Sequence, residues 1–158
     1  MRVVLQRVLS ASVTVDETVV GKIAKGWLVL LGVERGDTVE SVRWLAEKTV
    51  HLRAFQDDQG KMNRSVMEVG GQVLVVSQFT LAGDCRKGRR PSFDRAADPE
   101  DARKLYDSFC EHVARLGAPV ERGIFQADMQ VALVNDGPVT FVIDHSDKID
   151  DRLSMENI

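Results

Sequence analysis

The chain has 158 residues, 44% of them hydrophobic and 28% charged, the balance of one globular domain whose core needs no covalent staples. A formal net charge of −3 argues against a protein that coats nucleic acid with its whole surface, and no apolar run approaches the ~20 residues of a membrane span. Cys85 and Cys110 show no CxxC spacing, which excludes a disulfide framework and a cysteine-rich zinc site. The opening Met1–Arg7 is a strand pattern broken by charge rather than a signal peptide, so the cytoplasm is the expected location.

In chain order, Val4 to Val8 lead into Ala11, Val13 and Val15, which alternate with polar residues as in a half-buried strand. Thr18 to Ala24 follows the Asp16-Glu17 turn as a second strand. Trp27 to Val33 is apolar throughout and predicts a central strand covered on both faces. Asp37, with Glu40 three residues later, reads as a capping box opening a helix that runs to about Leu52. Gln56 to Lys61 is a polar turn without calcium-loop spacing. Gln72 to Phe79 predicts a second buried strand.

Ala82 to Ala97 is then irregular and rich in Gly, Arg and Pro, and loops of this length tend to be functional. Arg86, Lys87, Arg89 and Arg90 cluster within it, either as a solvated loop or as a patch for a few phosphates. Asp98-Pro99-Glu100-Asp101 starts a helix, with Pro at its first position and acids in its first turn. Its apolar stripe runs through Leu105, Tyr106, Phe109, Cys110 and Val113, and Gly117 and Pro119 end it; Cys110 reads as a small core residue. Val120 to Phe125, Met129 to Val134 and Val139 to Ile143 complete the strands. The charged, aperiodic stretch from Asp144 to Ile158 is expected to be a flexible tail.

Conventional catalytic equipment is scarce. His51, His112 and His145 have no partners at metal-ligand spacing, and the nucleophile-elbow, phosphate-loop and metalloprotease motifs are missing. Two segments stand out instead. Ser77-Gln78-Phe79-Thr80-Leu81 puts polar side chains at the end of an apolar strand, beside the basic loop, where binding groups commonly lie. Asn135-Asp136-Gly137-Pro138-Val139-Thr140 reads as a turn between strands. Pro138 has no N–H to give to a ladder, so it suits an edge or a tip, and an X–Pro bond is the one peptide bond whose cis form costs little.

Taken together, the two segments resemble the D-aminoacyl-tRNA deacylase (D-tyrosyl-tRNA deacylase) family. The likeness extends to Gln6-Arg7-Val8, to the loop from Arg86-Lys87-Gly88 to Arg90-Pro91-Ser92-Phe93, and to Ala127-Asp128-Met129-Gln130-Val131. It covers residues 1–144, leaving 145–158 as the tail. The resemblance implies an α/β single domain, a three-layer α/β/β fold with mixed sheets and two main helices. It also implies hydrolysis of the ester joining a D-amino acid, or mischarged glycine, to the 3′-terminal adenosine of tRNA. A cytoplasmic homodimer with active sites at the subunit interface, using neither metal nor organic cofactor, is expected.

By the same resemblance, Ser77, Gln78, Phe79 and Thr80 line one wall of the site. Gly137 and Pro138 enter as a cis peptide from the partner subunit and reject L-substrates, with Arg7 steadying the partner's tip. Beside these, Phe125 and Met129 are read either as walls for the adenine or as core residues, and Arg86, Lys87, Arg89 and Arg90 either as holding acceptor-end phosphates or as a solvated loop. The N–H of Phe79 is the expected oxyanion donor, and water assisted by the ribose 2′-hydroxyl is the expected nucleophile. Two other readings stay open: a hydrolase of small D-amino acid esters or amides acting through Thr80 or Ser77, and a non-catalytic module that binds RNA 3′ ends.

Overall fold

A computed structural model describes residues 1–146. The first strand, β1 (Arg2–Val15), serves two cores in turn: Val3 and Leu5 belong to one, Val8, Ala11 and Val13 to the other. The change of face coincides with irregularities in its pairing with the last strand, between Gln6 and Ser10. Such bulges bend a strand and add twist, so the second half of β1 turns across the sheet. β2 (Thr18–Ile23) pairs antiparallel with that second half, and β3 (Gly26–Gly32) with the first. β3 is buried on both sides, as its unbroken apolar sequence predicts.

Two crossovers follow. The chain passes through α1 (Val39–His51) and the small hairpin β4 (Phe55–Gln56) and β5 (Met62–Arg64) before β6 (Gln72–Ser77) pairs parallel with β3. α2 (Pro99–Arg115) then leads to the short β7 (Val120–Arg122), parallel with β6. β8 (Gln130–Asp144) returns along the other edge of β1, antiparallel over its length, giving a six-stranded mixed sheet.

The helices cover one face, where Trp27, Leu45, Phe55 and Phe109 are wholly buried. Cys110 lies in this core, as expected, and burial pushes its thiol up to about 11. On the opposite face Leu28, Leu74 and Val76 meet Val8, Val13 and Ile23 from the folded-over part of the sheet. The result is three layers, α/β/β. Each large apolar side chain sealed in this way contributes roughly 1.5–3 kcal/mol. Among the described residues no helix is long and apolar enough to cross a membrane.

Several boundaries differ from the sequence expectations, beginning with the strand expected over Val120 to Phe125, which ends at Arg122. The N-cap of α1 is Thr38, whose N–H donates to Ser41 Oγ at 3.2 Å; Asp37 instead accepts the Glu34 N–H at 2.7 Å and pairs with the Met1 ammonium. β6 stops at Ser77, and Phe79–Ala82 forms a short 3-10 helix. The Asn135-to-Val139 segment is not a hairpin tip. Val8 pairs with Asn135 and Gln6 with Thr140, so residues 136–139 bulge from one continuous strand. A proline is tolerated there because it lies off the ladder. The expected tail also begins too early. Asp144 is buried and receives the Arg2 Nε–H at 2.8 Å, while the His145 N–H donates to Met1 O at 3.0 Å. Residues 147–158 of that tail lie outside the described residues.

Candidate active site

At the end of β6 the ladder to β3 runs one bond further, the Gln78 N–H donating to Leu31 O at 2.8 Å, before the 3-10 helix begins. Gly32 makes room for this. A Cβ there would stand 2.9 Å from Leu81 Cβ and 3.1 Å from Gln78 O. Gln78 Nε2 donates to Thr80 Oγ1 at 2.5 Å, fixing both side chains. Phe79 is 57% exposed and meets Phe93 edge-on, with ring centroids 5.1 Å apart.

The long loop after this helix is tied back at several points. Asp84 and Ser92 exchange backbone hydrogen bonds of 2.7 and 2.9 Å, Arg35 N–H reaches Arg95 O at 2.9 Å, and Ala97 N–H reaches Val33 O at 3.1 Å. Ala96 and Ala97 are thereby brought beside the end of β6. Between this strand end, the returning loop, the first turns of α2 and residues 125–131 lies a cavity of about 550 Å³. Its walls are mainly apolar, with Ser77, Gln78 and Gln126 as the polar side chains. No acid, histidine, lysine or arginine of this chain is among the lining residues. Such a site can bury a flat apolar group and offer amide and hydroxyl hydrogen bonds, but it supplies no side-chain acid–base pair.

Of the residues singled out in the sequence, Ser77, Gln78, Phe79, Phe125 and Met129 line this cavity. Thr80 does not line it and touches it through Gln78. Gly137 and Pro138 are joined by a cis bond and exposed, and they are not among the lining residues of their own chain's cavity. Gly137 has φ +122°, and a Cβ on it would lie 2.8 Å from Val139 Cγ2 and 3.1 Å from Arg7 Nη2.

Arg7, expected to steady the partner's tip, lies beside the Gly137 segment of its own chain. Only 3% exposed, it donates from Nη1 to Ala54 O at 2.7 Å, and its Nε lies 3.2 Å from the Asp136 carboxylate. The basic loop is exposed, but its four cations are not equivalent. Arg86 Nε donates to Asp84 Oδ1 at 2.9 Å and holds that carboxyl well below the usual carboxylate range. Lys87, Arg89 and Arg90 make no ion pair among the described residues.

The sequence reading missed Ala96, Ala97, Pro99, Ala102 and Gln126 as cavity residues. The length of the loop before α2 hinted that it returns to the site; the small alanines carried no chemical signal.

The folded-over mixed sheet with two helices on one face, and an apolar cavity at a strand end, define an α/β domain with a compact small-group site. The family described as D-Tyr-tRNA(Tyr) deacylase matches residues 4–144, and the chain belongs to that family of hydrolases. A D-aminoacyl-tRNA deacylase of Geobacter sulfurreducens is 60% identical over 144 residues, 91% of this chain and 95% of the relative. Another, from Desulfotalea psychrophila, is 57% identical over 149 residues, 94% and 99% of the two chains. A solved structure titled c-Myc DNA Unwinding Element Binding Protein superposes with a TM-score of 0.87 at 40% identity, over 91% of this chain and 98% of that one. A probable eukaryotic D-amino acid tRNA deacylase, with a TM-score of 0.75 at 22% identity over 90% and 98% of the two chains, shares the fold.

Proposed function

We propose that this chain hydrolyses the ester joining a D-amino acid, or mischarged glycine, to the 3′-terminal adenosine of tRNA. Family membership supports the reaction class, and the cavity at the end of β6 is the observation that carries the reading to this chain's residues. Phe125 and Met129 give the terminal adenine apolar walls, and Ser77 and Gln78 line the same cavity at the strand end. Phe79 opens the 3-10 helix, and its N–H is the donor assigned to the developing oxyanion. With no acid–base side chain in the lining, water attacks the carbonyl carbon assisted by the ribose 2′-hydroxyl. The bond to the ribose 3′-oxygen then breaks, that oxygen takes the proton, and a D-amino acid and free 3′-hydroxyl result.

Chirality is assigned to Gly137 and Pro138 of the partner subunit in a homodimer. The outer edge of β8 is unpaired among the described residues, and Leu9 (54% exposed), Val134 (52%) and Val142 (65%) present apolar surface along this two-stranded ribbon. Burying such a surface suits a second copy of the chain. Glycine permits close approach to the substrate Cα. An L-substituent is pushed into that backbone, whereas D-residues of many kinds point away, so selection works by exclusion rather than by grip on the side chain. Glycine has no side chain to exclude and is the hardest cognate residue to spare.

The test is to supply the protein with D-aminoacyl-tRNA and, separately, with the methyl ester of the same D-amino acid. Release from tRNA with the methyl ester left intact is expected. Equal hydrolysis of both would indicate a small-ester hydrolase, and tight binding of tRNA without turnover a binding module; either would overturn the assignment.

A further inference from the structure

Arg103 is the only lysine or arginine of α2 without a carboxylate partner among the described residues: Lys104 pairs with Glu100 at 2.9 Å and Arg115 with Glu111 at 3.6 Å. Beyond the helix, Arg122 pairs with Asp107, and Arg35, Arg86 and Arg95 are paired with Asp98, Asp84 and Glu34. The Arg103 guanidinium instead sits over the ring of Phe125, 4.9 Å from its centroid. Phe125 is held in turn by Tyr106, at 5.8 Å between centroids, whose hydroxyl donates to Val75 O at 2.8 Å. The same Phe125 lines the cavity, as does Ala102, the residue before Arg103.

The arrangement is a cation seated on an aromatic ring beside the cavity, with its charge uncompensated. A guanidinium on a ring face keeps its N–H edge free for planar, bidentate hydrogen bonding to an oxyanion. We propose that Arg103 binds the phosphate preceding the terminal nucleoside, on the helix side of the cavity and independently of the basic loop. This rests on the reading that the cavity takes the 3′ end of tRNA. A ribose and base lodged between Phe125 and Met129 leave their 5′-phosphate near the rim, and Arg103, held on the Phe125 ring, is an unpaired cation on the helix side of it. It is a substrate-positioning residue, separate from the ester chemistry at Ser77 to Phe79.

Two substrates isolate the claim: D-aminoacyl-tRNA, and the same D-amino acid esterified to adenosine, which has no phosphate. Arg103→Gln is expected to lower kcat/KM on the tRNA substrate about tenfold, mainly through KM, the size of one good charge-assisted contact. The dependence of log(kcat/KM) on log salt should flatten by about 0.7, one phosphate on a single strand. The loss on the adenosine ester should stay below twofold, and Arg103→Lys should restore part of the tRNA activity, because it keeps the charge and loses the fork. An equal loss on both substrates would mean that Arg103 only shapes the Phe125 wall, and an unchanged salt slope would remove the phosphate contact; either result overturns the proposal. Wild-type protein inactive on both substrates would instead overturn the deacylase reading itself, so the two failures are distinguishable.

Discussion

Thr80 is the residue at which the chemistry is most easily misread. Its hydroxyl accepts a hydrogen bond from the Gln78 amide, and no base stands in the cavity lining to take its proton. Thr80→Ala should therefore keep at least about a third of wild-type kcat, since an unactivated hydroxyl contributes little as a nucleophile. The pH profile of kcat/KM should lack the bell shape of a side-chain acid–base pair. Abolished turnover, or a trapped aminoacyl-Thr80, would contradict this. Gly137 behaves differently. With φ +122° and Val139 Cγ2 in the way of a Cβ, Gly137→Ala should cost about 1–3 kcal/mol. That corresponds to a fall in Tm of roughly 2–12 °C by calorimetry. Such a fall would reflect the backbone, while the D/L preference reports separately on the tip's part in selection.

Strands and helices were legible in the sequence wherever apolar periodicity was strong, as in β3, β6 and α2. Errors gathered at irregular elements. Asn, Asp, Gly and Pro favour turns, so the residues around Gly137 predict one, yet β1 runs past the segment and pairs on both sides of it. A bulge depends on the partner strand, which local residues cannot report. The pairing of Arg7 with Asp136 was invisible for a related reason: it follows from the register of β1 against β8. Phe125 and Met129, carried by resemblance, do lie together in the cavity, while the alanines from the loop were invisible.

If the β8 bulge acts across subunits, mixing should reveal it. Pro138→Ala should hydrolyse some L-aminoacyl-tRNA, and Ala102→Phe, which fills the cavity, should hydrolyse none. Exchanging equal amounts into mixed dimers should reduce L-hydrolysis to about half, because half of the open cavities then receive an intact tip. No change on mixing would place the tip in its own subunit's site. In the basic loop, Arg86 is committed to Asp84. Neutralising Arg89 and Arg90 together should flatten the salt dependence by about 1.4, two phosphates on a single strand, and leave the D/L ratio unchanged. An unchanged slope would leave the loop without a substrate role.

Across the whole molecule, the two ends of the described chain are tied together by Arg2 and Asp144. Burial alone would raise the Asp144 carboxyl, but hydrogen bonds from Ser146 and Arg2 hold it below its ordinary value. A carboxyl lowered on folding stabilises the native state above its unfolded pKa of about 3.9 and loses that contribution as pH falls through the folded value. Asp144→Asn should therefore lower Tm near neutral pH, with the difference from wild type narrowing below about pH 4. An equal difference at pH 3 and pH 7 would show that packing, not charge, is responsible.

The central claim of the proposed function is that D-residues are freed from tRNA by exclusion of L-residues. The most direct test is the ratio of kcat/KM for one tRNA charged with the D- and then the L-form of the same amino acid. Efficient release of the D-residue, with the L-ester decaying at its spontaneous rate, is the expected result. Comparable hydrolysis of both enantiomers by the wild-type protein would contradict the account.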